Sequence, residues 1–429
     1  MRQITAMASM SAAEQRHQEK RPFPTGMERW HFAILLIAAL AVSMAYGVTL
    51  PLLPDLLAAR MAGGAFTDVA RHTGWITAIY TLALFICSPL WGGLSDAIDR
   101  RWVIFIGLAG SGIALWLTEH SASLLTLYVN RTLAGVLSAA VLPAVFACVV
   151  EVALPSQRPA RFAWITAATA LGFFLGPIVG EQGSWLAIWT NRMPGLGVAL
   201  STPFMFIGFL SVTSAVFVMA LPKWIGGERG ASDEPGLAPD IRILPELLLV
   251  SLGVLGITIA EVGLTLIGQD VLPLDTQQIA LYFAFCSIVM LLAQIFVHPF
   301  LERRFGRDTA LRLSLVGMAV GLALLAWPVG TWAPAVAFLL SGIGIGILLP
   351  SLSLQISSLA TNHQGWAMGR LAAAANLGQA VGAAITGLLY ARSMHLPFLF
   401  GSVALFDGVA LRREQAAWDY RDDRQGDSR

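Results

Sequence analysis

The sequence has few charged residues for its length. Only 12% of its 429 residues are Asp, Glu, Lys or Arg, against about 25% in an ordinary soluble domain. With 56% apolar residues and a mean hydropathy of +0.69, too few charges remain to cover the surface of water-soluble domains. We therefore expect a protein whose outer surface faces the hydrocarbon of a lipid bilayer.

The sequence also lacks an excess of charge of one sign. Its formal net charge is +1, which argues against the basic surface of a nucleic-acid-binding protein. Its three cysteines, Cys87, Cys148 and Cys286, lie inside apolar runs without a Cys-x-x-Cys pair, which predicts small buried side chains rather than a disulfide or metal site. P-loop, HExxH, GxSxG and kinase patterns are missing too. We therefore expect neither an enzyme nor a bound metal or cofactor.

Long apolar segments are the main feature of the sequence. A helix needs roughly 20 predominantly apolar residues to cross about 30 Å of hydrocarbon. Twelve such windows occur between charged or Pro/Gly-rich breaks, which predicts an all-α membrane protein with twelve transmembrane helices. The windows are 32–54, 73–95, 102–119, 123–150, 161–180, 204–221, 244–268, 279–300, 309–328, 333–358, 366–390 and 395–411.

The basic residues between the windows predict the orientation. With a cytoplasmic N-terminus, 22 Lys or Arg residues fall on the cytoplasmic side, and only Arg60, Arg71, Arg192 and Arg392 fall on the other. Because cytoplasmic loops carry the excess of basic residues, we expect both termini in the cytoplasm and the chain in the cell inner membrane.

The longest polar connection, 222–243, separates two groups of six windows. Internal repetition supports this division, because segment 92–101 after the second window resembles segment 299–308 after the eighth. The alternative is that both are merely basic cytoplasmic loops. We predict two six-helix bundles, 32–221 and 244–411, with a cytoplasmic N-terminal segment, linker and tail at 1–31, 222–243 and 412–429.

Four motifs together resemble the major facilitator superfamily, and the similarity covers residues 30–411. Segment 92–101 is similar to the signature loop Gly-x-Leu-Ser-Asp-Arg-x-Gly-Arg-Arg, with Ala97 and Asp99 where a basic residue and a glycine are usual. Segment 127–135, Leu-x-x-x-Arg-x-x-x-Gly, resembles the fourth-helix motif of proton-coupled members.

Two further motifs resemble those of drug/proton antiporters. One is the first-helix end 47–54, Gly-x-x-x-Pro-x-x-Pro, and the other is a fifth-helix motif that lacks its last glycine, where Glu181 stands. The resemblance implies a two-bundle transporter that works by alternating access, uses a proton gradient without a cofactor, and functions as a monomer. The fifth-helix motif residues are Gly172, Gly176, Pro177 and Gly180.

The resemblance also implies a conformational latch at the cytoplasmic helix ends. A Glu-x6-Arg spacing that recurs in the superfamily begins at the end of the fourth window and implies a network with loop 92–101. Charge pairs at such a seam can hold one conformation of a rocking transporter closed. The alternative is that these basic residues only contact phospholipid head groups. The latch residues are Gly92, Asp96, Arg100, Arg101, Glu151 and Arg158.

Arg131 is the one basic residue that lies deep inside a window, because the others within window limits are within five residues of a cytoplasmic end. It lies roughly 12 Å into that window at 1.5 Å per residue, where an arginine costs several kcal/mol unless it faces water or a partner. Because arginine does not release its proton, Arg131 cannot carry the transported proton, but it can bias a nearby carboxylic acid or hold an anionic substrate group. The alternative is a structural polar bridge.

Proton coupling needs a group that titrates in each cycle, and a carboxylic acid inside the membrane can serve. Glu261 in the seventh window is our first candidate, because the seventh helix usually lines the cavity in this superfamily. Glu181, at the outer end of the fifth window, is the second, with an interfacial position as its alternative. Asp407 lies in the twelfth window, which usually packs peripherally, and the first window has no acid in its interior.

The fifth-helix glycines predict a close helix contact, with a bend at Pro177, and we expect this contact to be made with the second bundle. We also expect a cavity between the bundles whose aromatic and amide groups suit an amphipathic small molecule, although each of these residues could instead face lipid or pack. The expected lining is Tyr46, Tyr80, Phe173, Phe174, Tyr282, Gln294, Gln355, Asn376 and Gln379.

Together these features predict a secondary transporter that exports a small amphipathic drug or metabolite in exchange for protons. The alternatives are a dedicated exporter of one endogenous metabolite such as a siderophore, and a nutrient/proton symporter. A membrane-embedded enzyme would need clustered His, Asp or Ser/Lys groups at one depth, whereas the seven histidines are scattered. A sensor would need an additional soluble domain.

Overall fold

The computed structural model describes residues 29–61, 65–152, 157–181, 202–222, 243–272, 274–328, 330, 332–359 and 364–426, and these residues contain no strand. The first half comprises α1 (Arg29–Arg60), α2 (Phe66–Ala97), α3 (Arg100–Glu119), α4 (Leu124–Ser138), α5 (Val141–Val152), α6 (Arg158–Glu181) and α7 (Pro203–Val218). The second half comprises α8 (Leu244–Asp270), α9 (Thr276–Leu292), a π-helical turn (Ala293–Val297), α10 (His298–Phe305), α11 (Arg307–Ala326), α12 (Trp332–Leu359), α13 (Gln364–Tyr390) and α14 (Leu396–Gly426).

The predicted all-α membrane fold is confirmed, because each of the twelve windows coincides with a described helix or with helices joined end to end. Helices α4 and α5 form one span, and α9, the π-helical turn and α10 form another. Nine spans in the described part of the chain are long and apolar enough to cross a membrane. Residues 1–28 and 223–242 lie outside the described residues, so the segment bounds stay a prediction.

Polar residues fix several helix starts. Ser123 and Thr126 form a capping box at α4, and Asp275 and Gln278 form one at α9. In each case a side-chain oxygen accepts a backbone N–H that has no partner within the helix. These caps end short connections, so consecutive helices run antiparallel across the membrane.

The tightest helix contact in the first half lies between α1 and α6. A Cβ added at Gly176 would lie 2.7 Å from the backbone oxygen of Met44, and one at Gly47 would lie 2.6 Å from that of Phe173. The close contact predicted for the fifth-helix glycines therefore exists, but its predicted partner was wrong. It is α1 of the same half, because the glycines of the two helices face each other's backbone.

The two halves meet at the end of the bundle opposite the basic helix ends. We call the end that holds Arg29, Arg100 and Arg370 the basic end. At the opposite end α2 crosses α13, and a Cβ at Gly74 would lie 2.6 Å from the Cα atom of Gly387. Such an approach is possible only where both helices lack a side chain.

Polar contacts reinforce this opposite end. The carboxylate of Asp55 on α1 accepts hydrogen bonds from Gln269 Nε2 at 2.8 Å and Thr276 Oγ1 at 2.7 Å, both in the second half. At the basic end, by contrast, a Cβ added at Gly92, Gly93 or Gly369 would meet no described atom within 4 Å. The described contacts therefore join the halves at the opposite end, and these three glycines make no close contact at the basic end.

Candidate functional site

A cavity of about 340 Å³ lies between the halves. It is lined by α1, α2, α5, α6, α9, α12 and α13, with Gln294 from the π-helical turn and Ser138 from the end of α4. No Asp, Glu, Lys, Arg or His belongs to the described lining. Its polar groups are the hydroxyls of Ser43, Tyr46, Tyr80, Ser138, Thr166 and Thr169 and the amides of Gln294 and Gln379.

Five of the predicted cavity residues come together in this lining, namely Tyr46, Tyr80, Phe173, Gln294 and Gln379. The other four are not among the lining residues, so their predicted placement needs correction. Tyr282 packs near the ring of Phe338, at 6.4 Å between centroids, and Gln355 donates a hydrogen bond to Glu246 at 2.9 Å. Phe174 and Asn376 are also outside the lining. Helical periodicity alone did not fix which face of each helix meets the cavity.

Aromatic rings close the cavity on the side of the opposite end. The ring of Tyr46 stacks on Tyr80 at 5.5 Å and on Phe173 at 5.6 Å, and Phe173 lies 6.5 Å from Phe283 in the second half. We call these four residues the aromatic layer. Tyr46, Tyr80 and Phe173 are each the lining residue of their helix that lies farthest from the basic end.

One hydrogen bond crosses the halves at the aromatic layer. Gln379 Nε2 on α13 donates to the Tyr46 hydroxyl on α1 at 2.7 Å. The bond joins a ring that lines the cavity to the helix that crosses α2 at the closed opposite end. Tyr46 therefore contacts the cavity, the first half and the second half at once.

Arg131 lies behind the aromatic layer and not against lipid, with only 2% of its surface exposed. Its Cζ atom is 4.4 Å from the centroid of the Tyr80 ring, and its Nη1 donates to Thr49 Oγ1 at 3.2 Å. A desolvated cation–π contact of this kind contributes about 2 kcal/mol. Within the described part of the chain no carboxylate pairs with Arg131, and its Nε has no hydrogen-bond partner.

The fourth-helix motif has a geometric explanation. Gly135 lies one turn beyond Arg131, and a Cβ there would collide with the backbone oxygen of Tyr80. The missing side chain lets α4 approach α2, so the guanidinium of Arg131 reaches the face of the Tyr80 ring. The motif thus builds one side of the aromatic layer.

Glu261 lies in the middle of α8 and is 7% exposed. Among the described residues no hydrogen bond or ion pair engages its carboxyl group. The structure therefore buries Glu261 in the second half but does not bring it into an ion pair with Arg131. The side chain of Glu181 lies outside the described ones.

The loop between α2 and α3 contains a charge pair that the sequence analysis did not single out. Asp99 caps α3 by accepting from the Arg101 backbone N–H at 3.1 Å and from Arg101 Nη2 at 2.7 Å. Arg101 Nη1 also donates to the backbone oxygen of Leu221 at 2.7 Å, which ties α3 to the end of α7. The departure from glycine at position 99 was the available signal.

Not every predicted latch residue can be placed. The side chains of Asp96, Glu151 and Arg158 lie outside the described ones, and the surroundings of Gly180 in the fifth-helix motif are not described either. Gly92 lies in open space, and Arg100 is buried. The latch therefore stays a prediction.

The second half has a buried polar network at the same end, which the sequence analysis missed. Arg412 Nη2 on α14 donates to Asp308 on α11 at 2.5 Å, and Arg412 Nη1 lies 3.6 Å from Glu246 on α8. Asp308 occupies the position that Arg101 occupies in the first half, 207 residues earlier. In each half an arginine therefore joins the third span to the last one. Arg101 joins α3 to the end of α7, and Arg412 joins α14 to α11.

Apolar helices in two halves, closed together at one end around an uncharged cavity, define a membrane transporter of small molecules and not an enzyme. Comparison with known proteins gives the family. A family model described as Major Facilitator Superfamily matches residues 35–365 and 247–417. The chain belongs to the major facilitator superfamily.

Curated relatives of the chain are resistance proteins. Multidrug resistance protein 2 of Bacillus subtilis (strain 168) is 23% identical over 392 residues, which cover 89% of this chain and 94% of that protein. Tetracycline resistance protein, class B, of Escherichia coli is 27% identical over 376 residues, 84% of this chain and 88% of that protein. Quinolone resistance protein NorA of Staphylococcus aureus (strain MSSA476) is 24% identical over 385 residues, 88% and 94% of the two chains.

Solved structures share the fold. The human organic anion transporter MFSD10 (TETRAN) superposes with a TM-score of 0.65 at 20% identity, covering 90% of this chain and 99% of that one. The nucleoside transporter NupG superposes with a TM-score of 0.66 at 15% identity and the same coverage. These similarities support the multi-pass membrane fold of two six-helix bundles.

Proposed function

We propose that this transporter exports small amphipathic compounds with aromatic rings in exchange for protons, by alternating access. The observation that carries the proposal is the composition of the cavity, in which aromatic rings, hydroxyls and amides are present and the described lining has no charge. Such a lining holds ring-containing compounds by stacking and a few hydrogen bonds, without selecting one fixed charge. The names of the relatives, multidrug, tetracycline and quinolone resistance proteins, agree with this class.

In this proposal Glu261 carries the proton. It is a buried acid inside a long apolar helix of the second half, where desolvation favours the protonated form and lets the group release its proton when water reaches it. Arg131 keeps its charge throughout the cycle and holds Tyr80 in place. The two residues thus have separate tasks, one titrating and one fixed.

The proposed cycle alternates between a cavity open at the basic end and one open at the opposite end. We assign the basic end to the cytoplasm, with both termini inside and the chain in the inner membrane, because basic residues concentrate there. Closing this end would bring a neighbouring helix onto the open face of Gly92 and engage the latch. The contacts of Asp55 and Gly74 would then separate.

The test uses purified protein in liposomes with an acidic lumen, and tetracycline and a quinolone as probes. Exchange for protons drives probe into the acidic lumen, and we expect Glu261→Gln to lower this uptake at least tenfold. Asp407→Asn is the matched control, because it neutralises an exposed acid on α14 outside the cavity. We expect it to keep uptake within twofold.

Two results would contradict the proposal at different levels. If wild-type protein accumulates a probe only when the outside is acidic, the transporter is a symporter. If neither probe responds to a pH gradient, the proposed class of transport is wrong. If Glu261→Gln took up the probes as well as wild type does, Glu261 would not be the proton carrier, and the proposed class of transport would be unaffected.

A further inference from the structure

The two halves contribute different chemistry to the cavity. The aromatic rings of its described lining, Tyr46, Tyr80 and Phe173, all come from the first half. Both of its amides, Gln294 and Gln379, come from the second half, whose other described lining residues are apolar or glycine. The cavity therefore has aromatic rings on the wall of one half and amides on the wall of the other.

Gln294 has an amide that is available to a ligand. It lines the cavity, and no hydrogen bond from the described part of the chain engages it. A glutamine amide offers two N–H donors and a carbonyl acceptor. A ligand without polar groups would take water away from this amide and give no hydrogen bond in return, which costs binding free energy. Gln294 therefore favours ligands that carry a hydrogen-bonding group.

The backbone at Gln294 is a second observation, independent of the composition of the cavity. Gln294 belongs to the π-helical turn Ala293–Val297, which His298 closes by donating its backbone N–H to the carbonyl five residues back. Pro299 follows directly and has no N–H for the carbonyl four residues before it, which favours the wider turn. Turns of this kind are rare and frequently occur at functional sites. The cavity residue on this turn is thus a candidate ligand contact.

Gln379 has one end of its amide engaged and the other available. Its Nε2 donates to the Tyr46 hydroxyl at 2.7 Å, and no hydrogen bond from the described residues engages its Oε1. The bond holds this acceptor beside the aromatic layer. Two hydroxyls of the first half differ in this respect, because Thr166 and Thr169 donate to carbonyls of their own helix at 3.0 and 2.7 Å.

We propose that Gln294 and Gln379 determine specificity for substrates that carry a neutral hydrogen-bonding group, such as a carboxamide or a keto-enol, beside a ring system. The rings of the substrate stack on the first half, and its polar group bonds to the two amides of the second half. This inference rests on the proposed function and narrows its substrate class. A substrate bound in this way bridges the halves, whereas a compound with rings alone leaves the amides without partners.

The test measures binding and needs neither transport nor a pH gradient. The full chain is reconstituted in lipid nanodiscs, and calorimetry gives the dissociation constants of two probes. Tetracycline carries a carboxamide and keto-enol groups on fused rings, and tetraphenylphosphonium has phenyl rings and no hydrogen-bonding group. Gln294→Leu and Gln379→Leu each remove an amide at nearly constant side-chain volume. Gln277→Leu is the matched control, because it makes the same change at an exposed glutamine of α9 outside the described lining.

We expect Gln294→Leu and Gln379→Leu each to weaken tetracycline binding about tenfold, which corresponds to the loss of one hydrogen bond to the ligand. Tetraphenylphosphonium should bind every variant within about twofold of wild type, which shows that the fold and the cavity are intact. Gln277→Leu should match wild type for both probes. Gln294→Leu is the sharper variant, because it breaks no hydrogen bond within the described part of the protein.

Three results would overturn the inference. They are a wild-type protein that does not bind tetracycline, a leucine variant of either cavity glutamine that binds it as tightly as wild type, and an equal loss of both probes in Gln294→Leu. The proposed function fails separately. If binding follows the expected pattern but no probe responds to a pH gradient, the proposed transport is wrong and the role of the two amides stands. If tetracycline is exchanged for protons and Gln294→Leu binds it like wild type, the transport stands and this inference is wrong.

Discussion

Arg131 shows how a single charged residue can be stable inside the membrane without an ion pair in the described part of the chain. The Tyr80 ring covers its guanidinium plane, and Thr49 accepts one of its N–H groups while donating its own O–H to the Ala45 carbonyl at 2.9 Å. A planar guanidinium suits this site, because it can stack and donate at once. An ammonium group has no planar face to lie against the ring.

We predict that Thr49→Val lowers the free energy of unfolding by about 1–3 kcal/mol, because it leaves a buried charged donor without its acceptor. Proton-driven uptake should fall several-fold as the aromatic layer loses its support. Thr132→Val is the control, since that hydroxyl bonds only to the carbonyl of Tyr128 in its own helix. Thermal unfolding and uptake of the two variants test this, and equal behaviour would show that Thr49 does not hold Arg131.

At the scale of helices, close contacts between backbones organise the fold. Helices α1 and α6 meet through glycines within the first half, and α2 and α13 meet through Gly74 and Gly387 across the halves. The first contact lies within one half, and in the proposed cycle the second separates when the opposite end opens. A missing side chain would then serve both a rigid and a moving contact.

We predict that Gly176→Ala lowers the apparent melting temperature by several degrees. The added methyl group would lie 2.7 Å from Met44 O and 2.8 Å from Val48 N, and these backbone atoms cannot move without shifting α1, which costs about 1–3 kcal/mol. Gly93→Ala is the matched control on an open helix face, where alanine is the better helix former by about 1 kcal/mol. Equal melting of Gly176→Ala and wild type would show that the α1–α6 contact adapts.

Hydropathy alone predicted the helices, because about twenty apolar residues in a row are needed wherever a helix crosses the bilayer. The fifth-helix motif also indicated Gly172 and Gly176 correctly as sites of a close helix contact. The sequence could not predict three other features. These are the pairing of those glycines with α1, the contact of Gly74 with Gly387 between the halves, and the position of Gln355. Each depends on how distant helices face each other, which spacing within one helix does not record.

At the scale of the whole molecule, the described contacts between the halves concentrate at the aromatic layer and at the end beyond it. Tyr46 bonds to Gln379 at the layer, and Asp55 bonds to Gln269 and Thr276 at the opposite end. The free energy of contacts that exist in only one conformation determines how populated that conformation is. The free-energy difference between two such conformations is typically a few kcal/mol. In the proposed cycle, the conformation described here would therefore depend on a small number of bonds between the halves.

We predict that Asp55→Ala shifts the equilibrium toward the conformation closed at the basic end, because it removes two bonds that exist only while the opposite end is closed. The bonds are exposed, so they contribute about 1 kcal/mol together, which corresponds to roughly a fivefold change in the population ratio. Spin labels at Gly93→Cys on α2 and Gly369→Cys on α13, in a Cys87→Ser background, measure this as a larger fraction of short distances. Asp68→Ala is the control, because Asp68 pairs with Arg71 at 3.5 Å within the same helix. If both variants gave the wild-type distribution of label distances, the bonds of Asp55 would not stabilise the closed opposite end. The Gly74 contact and the aromatic layer would then hold it closed.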